Sequence, residues 1–231
     1  MGKLETLRDI SLYVDPTKFV QSLLPATTRH ERAGGDKTSP KIFKIVQDLT
    51  SLAINLARPI GYFRIEKIKE KKGGRILLDE EIELELNRIS TAFRWCKHVV
   101  LFICTIGNRV EEPLDQFYKD SDPFRTYIFD RICSYLAEEL AEQVQSRVAS
   151  RFQGQDLKST YRFSPGYCHW QISEQEKLFH FFPDIEISLS NSYMMSPRKS
   201  VSAIFCLSEK PAHETNPCRF CADRECPWRR E

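Results

Sequence analysis

Residues 122–152 read DPFRTYIFDRICSYLAEELAEQVQSRVASRF, and this stretch decides the fold class. It opens on Asp122-Pro123. Behind that pair, Phe124, Tyr127, Ile128, Ile132, Tyr135, Leu136, Leu140, Val144 and Val148 recur every three or four residues, the period of a long amphipathic helix. Its flanks read as strands. Upstream, His98 to Cys104 (HVVLFIC) is a continuous apolar run of the kind found in buried strands, ended by Thr105-Ile106-Gly107. Downstream, Glu186 to Leu189 and Ser200 to Leu207 are β-prone. Helices and strands that alternate early, with strands gathered late, predict a mixed α+β domain.

Further from the helix, Asp15-Pro16 followed by Phe19, Val20, Leu23 and Leu24 predicts a short capped helix ending at Pro25. Ala26 to Pro40 lacks periodicity and reads as a flexible connector. Ile42, Ile45, Val46, Leu49, Leu52 and Leu56 predict a helix that stops before Pro59. Gly61 to Ile68 and Arg75 to Leu78 flank Lys71-Lys72-Gly73-Gly74, a composition suited to a hairpin. Asp79 then caps an expected helix with Ile82, Leu86, Ile89 and Phe93 on one face. The resulting division is an N-terminal helix and connector (1–40), an α+β domain (41–207) and a cysteine-rich tail (208–231).

A chain of 231 residues, 41% hydrophobic and 29% charged, can bury a real core. Thirty-four basic residues against thirty-two acidic ones give a formal charge of +2, too little field to predict a nucleic-acid partner. No stretch approaches the roughly eighteen apolar residues of a membrane span, and the amino terminus lacks a secretory signal, so the expected location is cytoplasmic. Reduced thiols are accordingly the expectation for the eight cysteines. Cys96, Cys104 and Cys133 lie in apolar contexts, whereas Cys218, Cys221 and Cys226 cluster in the polar tail.

Chemistry concentrates in Tyr161-Arg162-Phe163-Ser164-Pro165-Gly166-Tyr167. Pro165-Gly166 suits a type II turn, in which proline sets the first central φ and glycine accepts the positive φ that follows. Read alone, the segment is a turn beside an arginine. The spacing Arg-x-x-x-Gly-Tyr, however, resembles the S-adenosylmethionine-binding motif of the activation (reactivation) domain of cobalamin (vitamin B12)-dependent methionine synthase. The resemblance extends upstream through Ala137-Glu138-Glu139-Leu140-Ala141-Glu142 and Arg147-Val148. Downstream it runs through Leu189 to Ser202, with Pro197 and Ser200-Val201-Ser202. Thr105-Ile106-Gly107 and Phe129-Asp130 resemble free-standing members of this family.

The resemblance implies a C-shaped α+β domain with a bent, mainly antiparallel sheet flanked by helices. It also implies a protein that binds S-adenosylmethionine and supports reactivation of cob(II)alamin, with Arg162, Ser164, Gly166, Tyr167 and Glu138 at the site. An arginine fork suits the ligand's carboxylate better than a lysine would. Cobalamin would arrive on a partner, a corrinoid-binding methionine synthase or a related corrinoid methyltransferase, and flavodoxin or ferredoxin would supply the electron. The family's N-terminal acidic residue and late tyrosine pair have no secure match here; Asp9, Asp15 and Asp48 are acidic substitutes without a motif.

Cys218, Cys221 and Cys226 have a spacing that can wrap thiolates around one metal, zinc or an iron-sulfur cluster. Cys206, Cys168 or His213 would supply the fourth ligand. Two other readings stand beside the leading one: reactivation of another corrinoid protein, and a non-enzymatic metal-binding interaction module that has lost its ligand.

Overall fold

In the computed structural model, residues 2–23, 39–78, 81–152 and 157–209 are described. The expected connector and the cysteine tail fall largely outside them. Helix α1 (Pro16–Leu23) begins where the Asp15 carboxylate accepts hydrogen bonds from the Thr17 and Lys18 amides, the capping read from Asp-Pro. Helix α2 (Pro40–Leu56) starts on its proline and buries Val46, Leu49 and Ala53. Helix α4 (Pro123–Ser150), preceded by the short α3 (Glu111–Lys119), carries the long periodic stripe, capped by Asp122 through the Arg125 amide. A short helix of seven residues, α5 (Glu174–His180), follows the motif loop.

One antiparallel sheet is the frame. Its strands run β4 (Glu83–Glu85), β3 (Arg75–Leu78), β2 (Ile60–Lys72), β5 (His98–Thr105), β9 (Ser200–Ser208) and β6 (Lys158–Ser159) in spatial order, with β1 (Glu5–Leu7) also paired to β2. Strands β7 (Ser188–Leu189) and β8 (Met195–Ser196) form a separate ribbon. The strand expected at Glu186 to Leu189 therefore contributes to that ribbon and leaves the main sheet to β9.

Central strand β5 explains its own unbroken hydrophobicity, because both faces are covered. Val100, Phe102 and Cys104 join the core under α1, α2 and α4, whereas Val99, Leu101 and Ile103 join a second core with Trp170, Phe181 and the β3–β4 hairpin. Ile10, Val14, Phe19 and Val20 from the N-terminal segment belong to the first of these cores. Helix α4 approaches β2 so closely that a Cβ on Gly61 would stand 2.6 Å from Val144 Cγ2. Glycine is what permits that contact.

The helix expected after Asp79 is replaced by β4 and a 3-10 segment at Asn87–Phe93. Ile82, Leu84 and Leu86 alternate with Glu83 and Glu85, and that period of two wins because β4 pairs with β3. Arg75 on β3 completes the pairing, its guanidinium bridging Glu83 at 3.0 Å and Glu85 at 3.2 Å. Asn87 then turns the chain at φ 51°, its amide bonded to the Gly74 carbonyl.

Candidate functional site

The motif follows the short edge strand β6, between α4 and the β9 edge. Phe163 is buried in the second core, its ring 5.7 Å from that of Phe93, and it exchanges two backbone hydrogen bonds of 2.8 Å with Ile204. Arg162, one residue earlier, goes the other way. Its Nη2 donates to Glu138 at 2.5 Å and its Nη1 donates to Glu142 at 2.8 Å. The two carboxylates lie one helical turn apart on a single face of α4, so both can reach one guanidinium. Arg162 keeps 11% of its side chain exposed, against 53% for Glu138 and 60% for Glu142.

The expected turn forms immediately after. The Tyr167 amide donates to the Ser164 carbonyl at 3.2 Å across Pro165-Gly166, with Gly166 at φ 91°. A side chain at Gly166 would be both strained and pressed 3.2 Å from Ile172 Cδ1. The loop closes by Gly166 amide to Trp170 carbonyl, with Cys168 and His169 both at positive φ. Tyr167 is 60% exposed, whereas Trp170 is buried in the second core. Ser164 contributes its carbonyl to the turn and is half-buried.

Arg162 and Glu138 are thus brought together, and Glu142 joins them without having been anticipated. Its spacing of four from Glu138 was the available signal. Asp9, Asp15 and Asp48 are not hydrogen bonded to this cluster. The Asp9 carbonyl accepts from Arg147, Asp15 caps α1, and Asp48 pairs with Lys44 at 3.4 Å. Behind the cluster, Cys104 on β5 is completely buried, and that burial pushes its thiol up to about 12; Arg162 pulls it down and Glu138 up by smaller amounts. Cys133 is likewise raised to about 12 by burial. These are neutral core thiols.

A family model described as the activation domain of vitamin B12-dependent methionine synthase matches residues 91–214. The chain belongs to this family. No curated protein matches it. Among solved structures, the MetH reactivation domain bound to AdoHcy is 15% identical, with a TM-score of 0.61 over 91% of this chain and 79% of that one. That likeness shows the activation-domain fold of mixed helices and an open, mainly antiparallel sheet.

The thiols divide differently from the expectation of reduced cysteines throughout. Cys104 and Cys133 are free, but the Sγ atoms of Cys96 and Cys206 are bonded across 110 residues, both in the buried second core. Cys206 in this state presents no thiolate to a metal. Cys218, Cys221, Cys226 and His213 lie outside the described residues. Among the described residues, no group of three or more His, Cys, Asp or Glu side chains could hold a metal, and no helix is long and apolar enough to cross a membrane.

Proposed function

We propose that this activation domain binds S-adenosylmethionine at Arg162 and supports reductive methylation of cob(II)alamin carried by a cobalamin-dependent methionine synthase. The observation that carries the reading is the Arg162 guanidinium, mostly buried yet held at its rim by two exposed carboxylates, beside an open glycine turn. A guanidinium has five N–H donors, of which two are engaged by Glu138 and Glu142, so donors remain for a ligand carboxylate. One arginine with two glutamates leaves a local charge of −1. S-adenosylmethionine, with a sulfonium, an ammonium and a carboxylate, carries +1, whereas the demethylated product is neutral; the cluster favours the charged form.

The structural match to an AdoHcy-bound relative supports the same ligand class. When bound, S-adenosylmethionine would supply an electrophilic methyl group to the partner's corrinoid cobalt, once that had taken one electron from a donor such as flavodoxin or ferredoxin, and would itself be left as the thioether. The protein's part is to hold the carboxylate at Arg162, keep the adenosyl side against the Ser164–Gly166 backbone, and present the sulfonium beside Tyr167 to a corrin brought by the partner. A zinc or iron-sulfur site in the tail, on Cys218, Cys221 and Cys226, belongs to this proposal as a separate element.

Calorimetric titration of the anaerobically purified chain with S-adenosylmethionine tests the reading. Saturable binding is expected, weakened by Arg162→Ala by about 1.5–3 kcal/mol as a charge-assisted pair is lost. No binding by the folded wild type, or equal binding by the variant, overturns it.

A further inference from the structure

Arg162 reaches α4 only because the edge of the sheet carries an extra residue. Lys158 faces Ser208 and Ser159 faces Leu207, a register that puts Thr160 opposite Cys206. Three residues on, Phe163 faces Ile204. Tyr161 and Arg162 therefore oppose Phe205 alone, which is a β-bulge. In an unbroken ladder Arg162 would face Ile204, whose side chain lies in the second core, and a one-residue slip exchanges the two faces of a strand. The bulge sends Phe163 into that core and turns Arg162 toward Glu138 and Glu142.

Two buried side chains satisfy the backbone groups that the bulge takes out of the ladder. The Thr160 hydroxyl accepts from the Cys206 amide at 3.0 Å and donates to the Tyr161 carbonyl at 2.9 Å. The Thr160 carbonyl accepts from Gln145 Nε2, on α4, at 2.8 Å. Thr160 is 6% exposed and Gln145 9%. Unpaired, these groups would favour sliding back into the regular register. We infer that Thr160 and Gln145 are positioning residues that lock the bulge and so aim Arg162 at the ligand's carboxylate, an inference that rests on the ligand reading above.

The test compares Thr160→Val, Thr160→Ser and Gln145→Met in the full chain, each checked for native circular dichroism. Each is titrated with S-adenosylmethionine and with 5′-methylthioadenosine, which keeps the adenosyl thioether but has no carboxylate. Thr160→Val and Gln145→Met are expected to weaken S-adenosylmethionine about tenfold and methylthioadenosine hardly at all, while Thr160→Ser keeps both. Equal losses for both ligands, or no loss for either, overturn the inference. The Nε–H resonance of Arg162, assigned by its disappearance in Arg162→Lys, is followed in the same proteins. Movement toward the free-arginine position in Thr160→Val but not in Thr160→Ser supports the aiming role even if the wild type fails to bind S-adenosylmethionine, a failure that would remove the ligand reading alone. An unmoved resonance overturns the role.

Discussion

Two thiols deep in the first core make this protein's stability fall in mild alkali. Cys104 on β5 and Cys133 on α4 have their pKa pushed up to about 12 by burial, from an ordinary value of 9.0. Below pH 9 both the folded and unfolded chains hold these protons, so the shift contributes nothing there. Between 9 and 12 the unfolded chain releases them while the folded chain retains them, so stability declines as pH rises. Each thiol costs about 1.4 kcal/mol per pH unit in that window, and the pair about 2.7 kcal/mol between pH 8 and pH 10. Urea unfolding at both pH values, under argon and in a Cys96→Ala/Cys206→Ala background that leaves the unfolded chain's thiolates no native disulfide to exchange with, compares the parent with its Cys104→Ala/Cys133→Ala variant. The variant is expected to be weaker at pH 8 but flatter, its loss on going to pH 10 smaller by about 2.7 kcal/mol. The exposed titrating groups are common to both proteins and cancel. Parallel declines in the two proteins would refute the reasoning.

Gly61→Ala forces a Cβ to 2.6 Å from Val144 Cγ2, so it is expected to lower stability by about 1–3 kcal/mol, with Val144→Ala in the same chain relieving part of the loss; thermal melts of the single and double variants check this. Asp122→Ala leaves the Arg125 amide at the start of α4 without its 3.0 Å acceptor and is expected to cost about 0.5–2 kcal/mol in urea unfolding.

The parts of the fold that sequence revealed are those set by one dominant period. Helix α4 buries one stripe from Ile128 to Val148, with Phe124, Tyr127 and Tyr135 of the same apolar pattern left exposed, and β5 is apolar from Val99 to Cys104 because both its faces are covered. The Pro165-Gly166 turn is legible for a local reason, the φ each residue permits. Residues 82–93 deceived because two periods coexist there: Ile82, Leu86, Ile89 and Phe93 have helical spacing, while Ile82, Leu84 and Leu86 alternate. Pairing with β3, a nonlocal contact, decides between them. Within the candidate site, Arg162 and Glu138 could be named from a motif, but their meeting depends on a bulge opposite Phe205 that no local pattern announces. The Cys96–Cys206 bond joins residues 110 apart and is equally invisible to spacing.

The position of β5 between β2 and β9 also sets an order of assembly. Its first ladder, to β2, closes within a hairpin-like stretch ending at Thr105, but its second ladder waits until Ser200–Ser208 has been synthesised. In the interval a strand of eight residues, nearly all apolar, has one edge of backbone donors and acceptors open while a ribosome adds about a hundred residues. Such an edge is a template for pairing with another nascent chain, and closing it requires contacts of high sequence separation, which form slowly. Slowing translation between β5 and β9 is therefore expected to lower the soluble fraction on expression, which a comparison of genes with synonymous slow codons in that interval checks.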